Sequence, residues 1–370
     1  MDILTNSGIA KNIIEYIGNK SYLTFCVDTE IIKTYNKFNE SRKTYNYLKY
    51  AISSGDLERV KYLFETYKYQ LNINTLTFFA AKNGNLEILK FLHKKGCVSD
   101  EDTCAIAARN GNLDCLEYLY EIGCPWDKHS CSDAARCGKF DCLKFLHEKG
   151  CPWNGWVYTY AALSGNLDCI MYAYAEKCST DYSVYDCHNA AASGNLDCLK
   201  FLHKNGWKID KYTCTTAAQS GHLDCLKYAH KNGGPITYHT CIIAAAYGSI
   251  DCVKYLIDNN CPFNENTASS AASNGRLDIL MYLHEKGCNW NEDTCEYAAK
   301  NGRLDCLKYA HENGCPWNYK TRNTALRNKN FDCLEYAINN GCPEEEEVIV
   351  EVVFNDEDDM ELEQDLEELF

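Results

Sequence analysis

The chain has 370 residues, 46% of them hydrophobic, and a formal net charge of −15 at pH 7. Residues 344–370 carry 14 Asp and Glu and no Lys or Arg, so removing their charge leaves −1 on the rest of the chain. A near-neutral body with an acidic end argues against nucleic-acid binding, which requires a basic face. No uninterrupted apolar run approaches the length of a membrane span.

The first 40 residues do not carry the pattern that organises the rest of the chain. Ile9, Ile13 and Ile17 follow helical spacing, and a second apolar stretch begins at Tyr22. Two roles are open for the two or three short helices predicted here. They can cap the array by hiding the apolar side of its first repeat. Their order (apolar helix, Tyr-Ile-Gly turn, Tyr-Leu, aromatic and basic closing helix) also resembles a degenerate F-box without the usual Leu-Pro opening, which implies docking to a Skp-type ubiquitin-ligase adaptor.

From residue 41 to residue 342 one pattern returns, as in Ala-Ala-Lys-Asn-Gly-Asn-Leu-Glu-Ile-Leu-Lys-Phe-Leu at 80–92. Its central glycine recurs in steps of 27 residues, except for two steps of 29. These glycines are Gly55, Gly84, Gly111, Gly138, Gly165, Gly194, Gly221, Gly248, Gly275 and Gly302. A fixed period of about 20 to 50 residues indicates a repeat array. We therefore predict an all-α solenoid of about 11 stacked helix pairs with capping segments at its ends.

Each repeat contains local signals for two helices. The first opens at Thr-Cys, as at Thr103 and Cys104, where Thr is a reasonable N-cap. It carries a pair of alanines and ends at the glycine, as helices do at a left-handed residue. The second reads Leu-Asp-Cys-Leu-Lys, and the repeat closes with Gly-Cys-Pro-Trp-Asn, a position that holds all six prolines of the chain.

The stretch at 80–92 resembles the core of an ankyrin repeat, and the match recurs over residues 41–342. The resemblance implies stacked antiparallel helix pairs, no catalysis, and protein binding on a concave face lined by the first helices. The Gly-Cys-Pro-Trp-Asn form is similar to ankyrin-like proteins of giant viruses of amoebae, which implies an intracellular protein in the host cytoplasm. The period is about six residues shorter than in that family, and the Thr-Pro-Leu-His opening is missing. Because those residues form the projecting hairpin finger, we expect binding through helix faces.

The 24 cysteines predict neither disulfides nor a metal site. Most fall at three repeat positions, and equivalent positions in stacked repeats lie about 8–10 Å apart, beyond the bridging limit of about 7 Å. We interpret them as reduced, buried apolar residues. No two cysteines have the C-x-x-C spacing of structural zinc sites. A catalytic nucleophile would be one residue set apart from the others. Cys137 and His188 fall outside the repeated positions, and we interpret them as ordinary variation, so we expect no enzyme activity and no cofactor.

Comparison of the repeats shows which positions vary. The alanine pair and the glycine barely change, whereas the two residues before and the two after the pair change freely. Such variation indicates a surface adapted to a target, or a surface that drifts because nothing constrains it. Tyrosine and arginine are typical hot-spot residues, which favours binding. The candidate partner-binding residues are Arg109, Asp133, Arg136, Tyr160, Asn189, Thr216, Gln219, Tyr247, Tyr297 and Lys300.

The last segment, residues 343–370, mixes acidic residues with apolar ones. It is either a partial C-terminal cap or an acidic peptide that orders on a partner. The domain prediction is thus a helical segment at 1–40, an array at 41–342 and an acidic end at 343–370. We expect a monomeric, non-enzymatic scaffold that binds a protein. The alternative is a substrate receptor of a cullin ubiquitin ligase that docks its adaptor through residues 9–38.

Overall fold

The computed structural model describes residues 41–67, 75–180 and 185–344, and these ranges contain 22 helices and no strand. Odd-numbered helices are the first, and even-numbered helices the second, of each repeat. In chain order they are α1 Ser41–Ser54, α2 Leu57–Tyr67, α3 Leu76–Asn83, α4 Leu86–Lys94, α5 Glu101–Asn110, α6 Leu113–Glu121, α7 Lys128–Arg136, α8 Phe140–Glu148, α9 Trp156–Ser164, α10 Leu167–Ala175, α11 Asp186–Ser193, α12 Leu196–Lys204, α13 Lys211–Gln219, α14 Leu223–Lys231, α15 Tyr238–Tyr247, α16 Ile250–Asp258, α17 Glu265–Ser273, α18 Leu277–Glu285, α19 Glu292–Lys300, α20 Leu304–Glu312, α21 Tyr319–Arg327 and α22 Phe331–Asn339. The predicted all-α, solenoid-type fold is confirmed.

The described residues divide into two compact units. The first contains residues up to Ala217 together with Asp224–Pro235, and the second contains Ala218–Leu223 together with the residues from Ile236 onward. The F-box-like or capping segment predicted at 1–40 lies outside the described residues. So does nearly all of the acidic segment, from residue 345 onward.

The turn between the two helices of a repeat is built on the predicted glycine. Gly84 has a φ of 73°, in the left-handed region that glycine adopts without steric cost. Its N–H donates to the carbonyl of Ala81, and the N–H of Asn85 donates to the carbonyl of Ala80. Gly248 departs from the prediction because its backbone is extended, with a φ of −78°. There a Cβ would lie 2.2 Å from the carbonyl oxygen of Ala218, so close backbone approach requires the glycine.

The prediction that Thr103 is the N-cap of its helix was wrong, because the N-cap lies three residues earlier. Helix α5 begins after Asp100, whose carboxylate accepts from the Thr103 N–H at 3.0 Å, while the Asp100 N–H donates to the Thr103 hydroxyl at 3.3 Å. Thr103 is therefore the third residue of the helix and half of a reciprocal capping box. An acceptor three residues earlier reaches the free N–H groups better, since Thr103 itself is buried inside the first turn.

Within each unit the helices form two layers. The first helices pack on one another through their alanine pairs, such as the fully buried Ala107 and Ala108. Small side chains here allow neighbouring helix axes to approach to about 8–10 Å. The second helices pack in the other layer and bury Cys115, Leu116 and Leu119. This burial supplies the stability that helices of this length lack in isolation.

Polar contacts join each repeat to the next. Asn112 Nδ2 donates to the carbonyl oxygen of Ala81 at 2.7 Å. At the end of α8, His147 Nδ1 and the Tyr172 hydroxyl are hydrogen-bonded at 2.9 Å, and the Trp153 ring stacks on His147 with centroids 3.8 Å apart. The same histidine–tyrosine hydrogen bond recurs at His93 and Tyr118, His203 and Tyr228, His284 and Tyr309, and His311 and Tyr336. The histidines at the helix ends therefore have a structural role between repeats.

Candidate protein-binding face of the first helices

The structure leaves every predicted partner-binding residue at least partly accessible. All ten lie on first helices, on the side away from the buried alanine pairs. Arg109, Arg136, Gln219, Tyr247, Tyr297 and Lys300 are exposed, and Asp133, Tyr160, Asn189 and Thr216 are half-buried. Accessibility is what a binding surface needs, but an unconstrained surface also has it, so a partner role for these residues stays a prediction.

Two of the predicted residues meet in the first unit. The Arg136 guanidinium on α7 lies over the Tyr160 ring on α9, 5.4 Å from its centroid. One turn before Tyr160, the Trp156 ring stacks on it with centroids 5.5 Å apart and an interplanar angle of 25°. A cation over an aromatic face is attracted by the ring quadrupole. The contact thus holds a positive charge and two rings together at an accessible site.

A second aromatic group lies two repeats further on in the same unit. The His188 ring contacts the edges of Tyr185 and Tyr212, with centroids 6.0 and 5.7 Å apart. His188 Nε2 is also hydrogen-bonded to the Asp210 carboxylate at 2.7 Å. Burial alone would raise the pKa of Asp210, but hydrogen bonds from the Thr213 N–H and from His188 outweigh it, so the pKa is lowered. Asp210 is therefore a fixed negative charge beside two accessible rings.

Trp156, Tyr185 and Tyr212 were not predicted from the sequence. They occupy one repeat position, five residues before the alanine pair, which holds His129 one repeat earlier. Their exposed fractions are 38%, 61% and 55%. The signal was present in the sequence, since this aligned position holds an aromatic ring in five successive repeats, with His239 in the fifth. This position lies at the start of the helix, outside the two positions on each side of the alanines from which the binding residues are predicted.

The second unit presents separate aromatic residues on its first helices. Tyr238 and Tyr247 lie at the two ends of α15 and are 56% and 58% exposed. Tyr297 and Lys300 lie one turn apart on α19 and are both exposed. With the exposed Gln219, four predicted residues of this unit are therefore accessible, although they form no shared ring cluster like that of the first unit.

The described residues also bear on other functions. Among them no three His, Cys, Asp or Glu side chains converge as metal ligands would. None of the helices in the described ranges has the length and apolar character that a membrane crossing requires. The site can offer aromatic faces, guanidinium groups and carboxylates to a partner, which are the means of protein recognition.

Comparison with known proteins identifies the fold family. A family model described as "Ankyrin repeats (3 copies)" matches residues 48–130, 187–267 and 215–294, which together exceed half of the chain. The chain belongs to the ankyrin-repeat family. A second model, "Ankyrin repeats (many copies)", matches residues 295–338 of this ankyrin-repeat protein. The crystal structure of the human ASB11 ankyrin repeat domain is similar, with 18% identity, 50% of this chain and 98% of that chain covered, and a TM-score of 0.42. No curated protein matches.

Membership confirms the coarse functional prediction. Ankyrin repeats mediate protein–protein interactions, and ankyrin-repeat proteins are typically non-enzymatic scaffolds. The short repeat of this ankyrin-repeat protein shows how the architecture survives without the usual hairpin finger. In several repeats the turn after the second helix leads directly into a capping box at the start of the next first helix, as at Asp100 with Thr103 and at Asp210 with Thr213.

Proposed function

We propose that this protein is a non-enzymatic scaffold that holds a protein partner on the exposed face of its first helices. The strongest part of that face is in the first unit, where Trp156, Tyr160 and Arg136 form one cluster and Tyr185 and Tyr212 belong to the next. Tyrosine, tryptophan and arginine dominate the energetics of protein interfaces. Each ring offers apolar area with few rotatable bonds, so little conformational entropy is lost on binding.

The observation that carries this proposal is the exposure of large rings at one repeat position. Tyr185 and Tyr212 keep more than half of their surface accessible, although burial would stabilise rings of this size by about 2 kcal/mol each. Tyr158, in contrast, lies on the same helix as Trp156 and is fully buried. The fold can therefore bury aromatic side chains of these helices, and it leaves one set of them available.

The test is a comparison of bound proteins between variants of the full chain. Trp156→Ala and Tyr212→Ala, combined, remove two exposed rings without emptying the core. We expect proteins captured by the wild type from cell extract, and quantified by mass spectrometry, to fall at least tenfold with this double variant.

The matched control is Met171→Ala, since Met171 is an exposed apolar residue on the second helix α10 of the same unit. It should capture the same proteins as the wild type. Equal losses in the control and in the double variant, or no loss in either, would contradict binding through the first-helix face.

A second proposed function is that of a substrate receptor for a cullin ubiquitin ligase. What supports it is the F-box-like order of apolar segments within residues 9–38. On this proposal those residues dock a Skp-type adaptor and the repeats hold the substrate. A purified Skp-type adaptor should co-elute with the full chain and not with a chain lacking residues 1–40. Failure to co-elute with the full chain leaves the first segment as a cap.

Both proposals include a monomeric protein in the cytoplasm. If the protein is viral, that is the cytoplasm of the host cell. What supports the viral origin is the Gly-Cys-Pro-Trp-Asn form of the repeat closure. Light scattering on the purified chain tests the monomer directly, since a dimer would double the mass of 42.1 kDa.

A further inference from the structure

Two of the three cysteine positions of the repeat meet in space. One lies in the first turn of the first helix, and the other lies 20 residues later, in the turn after the second helix. In four repeats both positions hold cysteine, and in each pair the closing thiol lies close enough to the first-helix thiol to raise its pKa. The pairs are Cys104 with Cys124, Cys131 with Cys151, Cys241 with Cys261, and Cys295 with Cys315. The distance of about 8–10 Å that excludes bridging applies to equivalent positions in successive repeats, whereas the two cysteines of each pair occupy different positions.

A backbone carbonyl at the start of the first helix positions the closing sulfur of each pair. Cys124 Sγ donates to the carbonyl oxygen of Asp100 at 3.2 Å, and the Cys104 N–H donates to the same oxygen at 3.3 Å. The closing cysteines of the other pairs make the same sulfur–carbonyl contact, Cys151 with Asp127 at 3.1 Å, Cys261 with Thr237 at 3.1 Å and Cys315 with Asn291 at 3.2 Å. Both sulfurs are therefore held at the N-terminus of one helix in every pair.

The repeat in which the closing cysteine is replaced by glycine shows how closely the two backbone segments approach. A Cβ built at Gly234 lies 2.6 Å from Cys214 Sγ. In a disulfide the Cβ of one cysteine lies about 3 Å from the sulfur of the other, given an S–S bond of about 2 Å. The backbone segments that carry the two positions therefore approach more closely in this repeat than a side chain at residue 234 would allow.

We propose that these four thiol pairs are reversible oxidation sites, at which a peroxide converts each pair to a disulfide within one repeat. The first sulfur, as thiolate, attacks one peroxide oxygen, the O–O bond breaks, and a sulfenic acid forms with release of water or alcohol. The second sulfur then attacks the sulfenic sulfur, the S–O bond breaks, and water leaves with the proton of the second thiol. Two thiols lose two electrons in total and the peroxide gains them.

Exposure indicates which sulfur reacts first. In the first of the four pairs the closing cysteine, Cys124, is half-buried, whereas Cys104 is fully buried. In the pair of α15 the interaction between the two thiols lowers the pKa of the closing Cys261 and, with burial, raises that of Cys241. The closing sulfur is therefore the one that meets the peroxide and attacks as thiolate, and the sulfur in the first helix resolves the sulfenic acid.

Peptide mapping of the full-length protein provides the test. The folded, fully reduced protein is treated with hydrogen peroxide, its remaining thiols are alkylated, and the digest is analysed by mass spectrometry. We expect four cross-linked peptide pairs, Cys104 to Cys124, Cys131 to Cys151, Cys241 to Cys261 and Cys295 to Cys315, all lost after treatment with dithiothreitol. The oxidised protein should retain its helical circular dichroism and melt at a higher temperature than the reduced protein, since each bond restricts the unfolded chain.

The chain offers a matched control in the repeat of α17. Cys288 Sγ contacts the carbonyl oxygen of Asn264 at 3.2 Å, as the closing cysteines do, but Ala268 stands where the partner cysteine would be. Cys288 should be recovered alkylated from the wild type. In the variant Ala268→Cys it should instead appear cross-linked to residue 268 after peroxide treatment.

Several results would overturn the proposal. One is recovery of all four pairs as alkylated thiols while the exposed Cys137 is oxidised. Another is cross-linking between cysteines of different repeats, or loss of helical signal on oxidation, because either would show that oxidation requires unfolding. Since the wild type gives the primary readout, the test does not depend on any variant folding.

Discussion

A buried carboxylate in the first unit makes the stability of that unit dependent on pH. Asp186 opens α11 and is fully buried, where its carboxylate accepts from the Thr159 hydroxyl at 2.7 Å and from Trp207 Nε1 at 2.8 Å. Burial raises the pKa of Asp186 to about 6, and the two hydrogen bonds, with nearby His188, offset only part of that effect. In six other repeats this position holds a neutral threonine, such as Thr240.

The sign and size of the effect follow from the two pKa values. Between the ordinary value of 3.8 and the folded value of about 6, the unfolded chain has lost the proton and the folded chain keeps it. Rising pH therefore favours unfolding. One pKa unit corresponds to about 1.4 kcal/mol. Ionisation of Asp186 therefore lowers the free energy of unfolding by about 3 kcal/mol over the whole titration, and about 2 kcal/mol of this loss occurs between about pH 4.5 and 7.5.

The assay is urea denaturation, followed by far-ultraviolet circular dichroism, of the wild type and of Asp186→Asn across that pH range. Asparagine cannot ionise, so the free energy of unfolding of the wild type minus that of the variant should fall by about 2 kcal/mol as the pH rises. Asp197→Asn, at an exposed carboxylate on α12, controls for removal of a charge. Parallel wild-type and Asp186→Asn curves would refute the assignment of a raised pKa to this group.

Two further predictions concern the contacts that form and join the repeats. Tyr172→Phe deletes the hydroxyl that is hydrogen-bonded to His147 and should lower the free energy of unfolding, measured by urea denaturation, by about 1 kcal/mol. An unchanged midpoint would show that the bond contributes nothing. Gly84→Ala should lower the free energy of unfolding by about 1–2 kcal/mol because alanine must adopt a positive φ. The loss should be larger still because the new Cβ would lie 2.7 Å from Asn112 Oδ1. Gly96→Ala is the control with positive φ and no atom within 4 Å, so equal losses in the two variants would exclude a contribution from the Asn112 contact.

The candidate face and the buried carboxylate lie in neighbouring repeats of the first unit, where the array departs most from its own pattern. The first-turn cysteine is replaced by Tyr158 in α9, and the closing cysteine by Trp207 after α12. The two rings contact each other with centroids 5.2 Å apart, and Trp207 donates to Asp186. Tyr158, Trp207 and Asp186 thus take the places of cysteine, cysteine and threonine. Because Trp207 contacts the other two side chains, the interior stays filled and the buried carboxylate keeps its hydrogen-bond partners.

Local chemistry explains the part of the structure that was predictable. The glycine steps, the closing prolines and the apolar spacing each depend on residues within one repeat, so helix pairs and their turns could be predicted. The wrong prediction of Thr103 as the N-cap of α5 also concerned neighbouring residues of one repeat. Both Asp100 and Thr103 are suitable caps, and only the helix itself shows which one precedes its first turn.

The amino-acid pattern alone is enough to predict an array of short helix pairs, because a regular period of turn residues and apolar residues leaves few other folds. Which positions of different helices meet becomes visible only in the folded chain. Folding brings Cys104 to Cys124 across 20 residues, Asp186 to Trp207, and Arg136 to the ring of Tyr160. Such contacts depend on side-chain direction and on how one helix layer lies against the next, and spacing along the chain encodes neither.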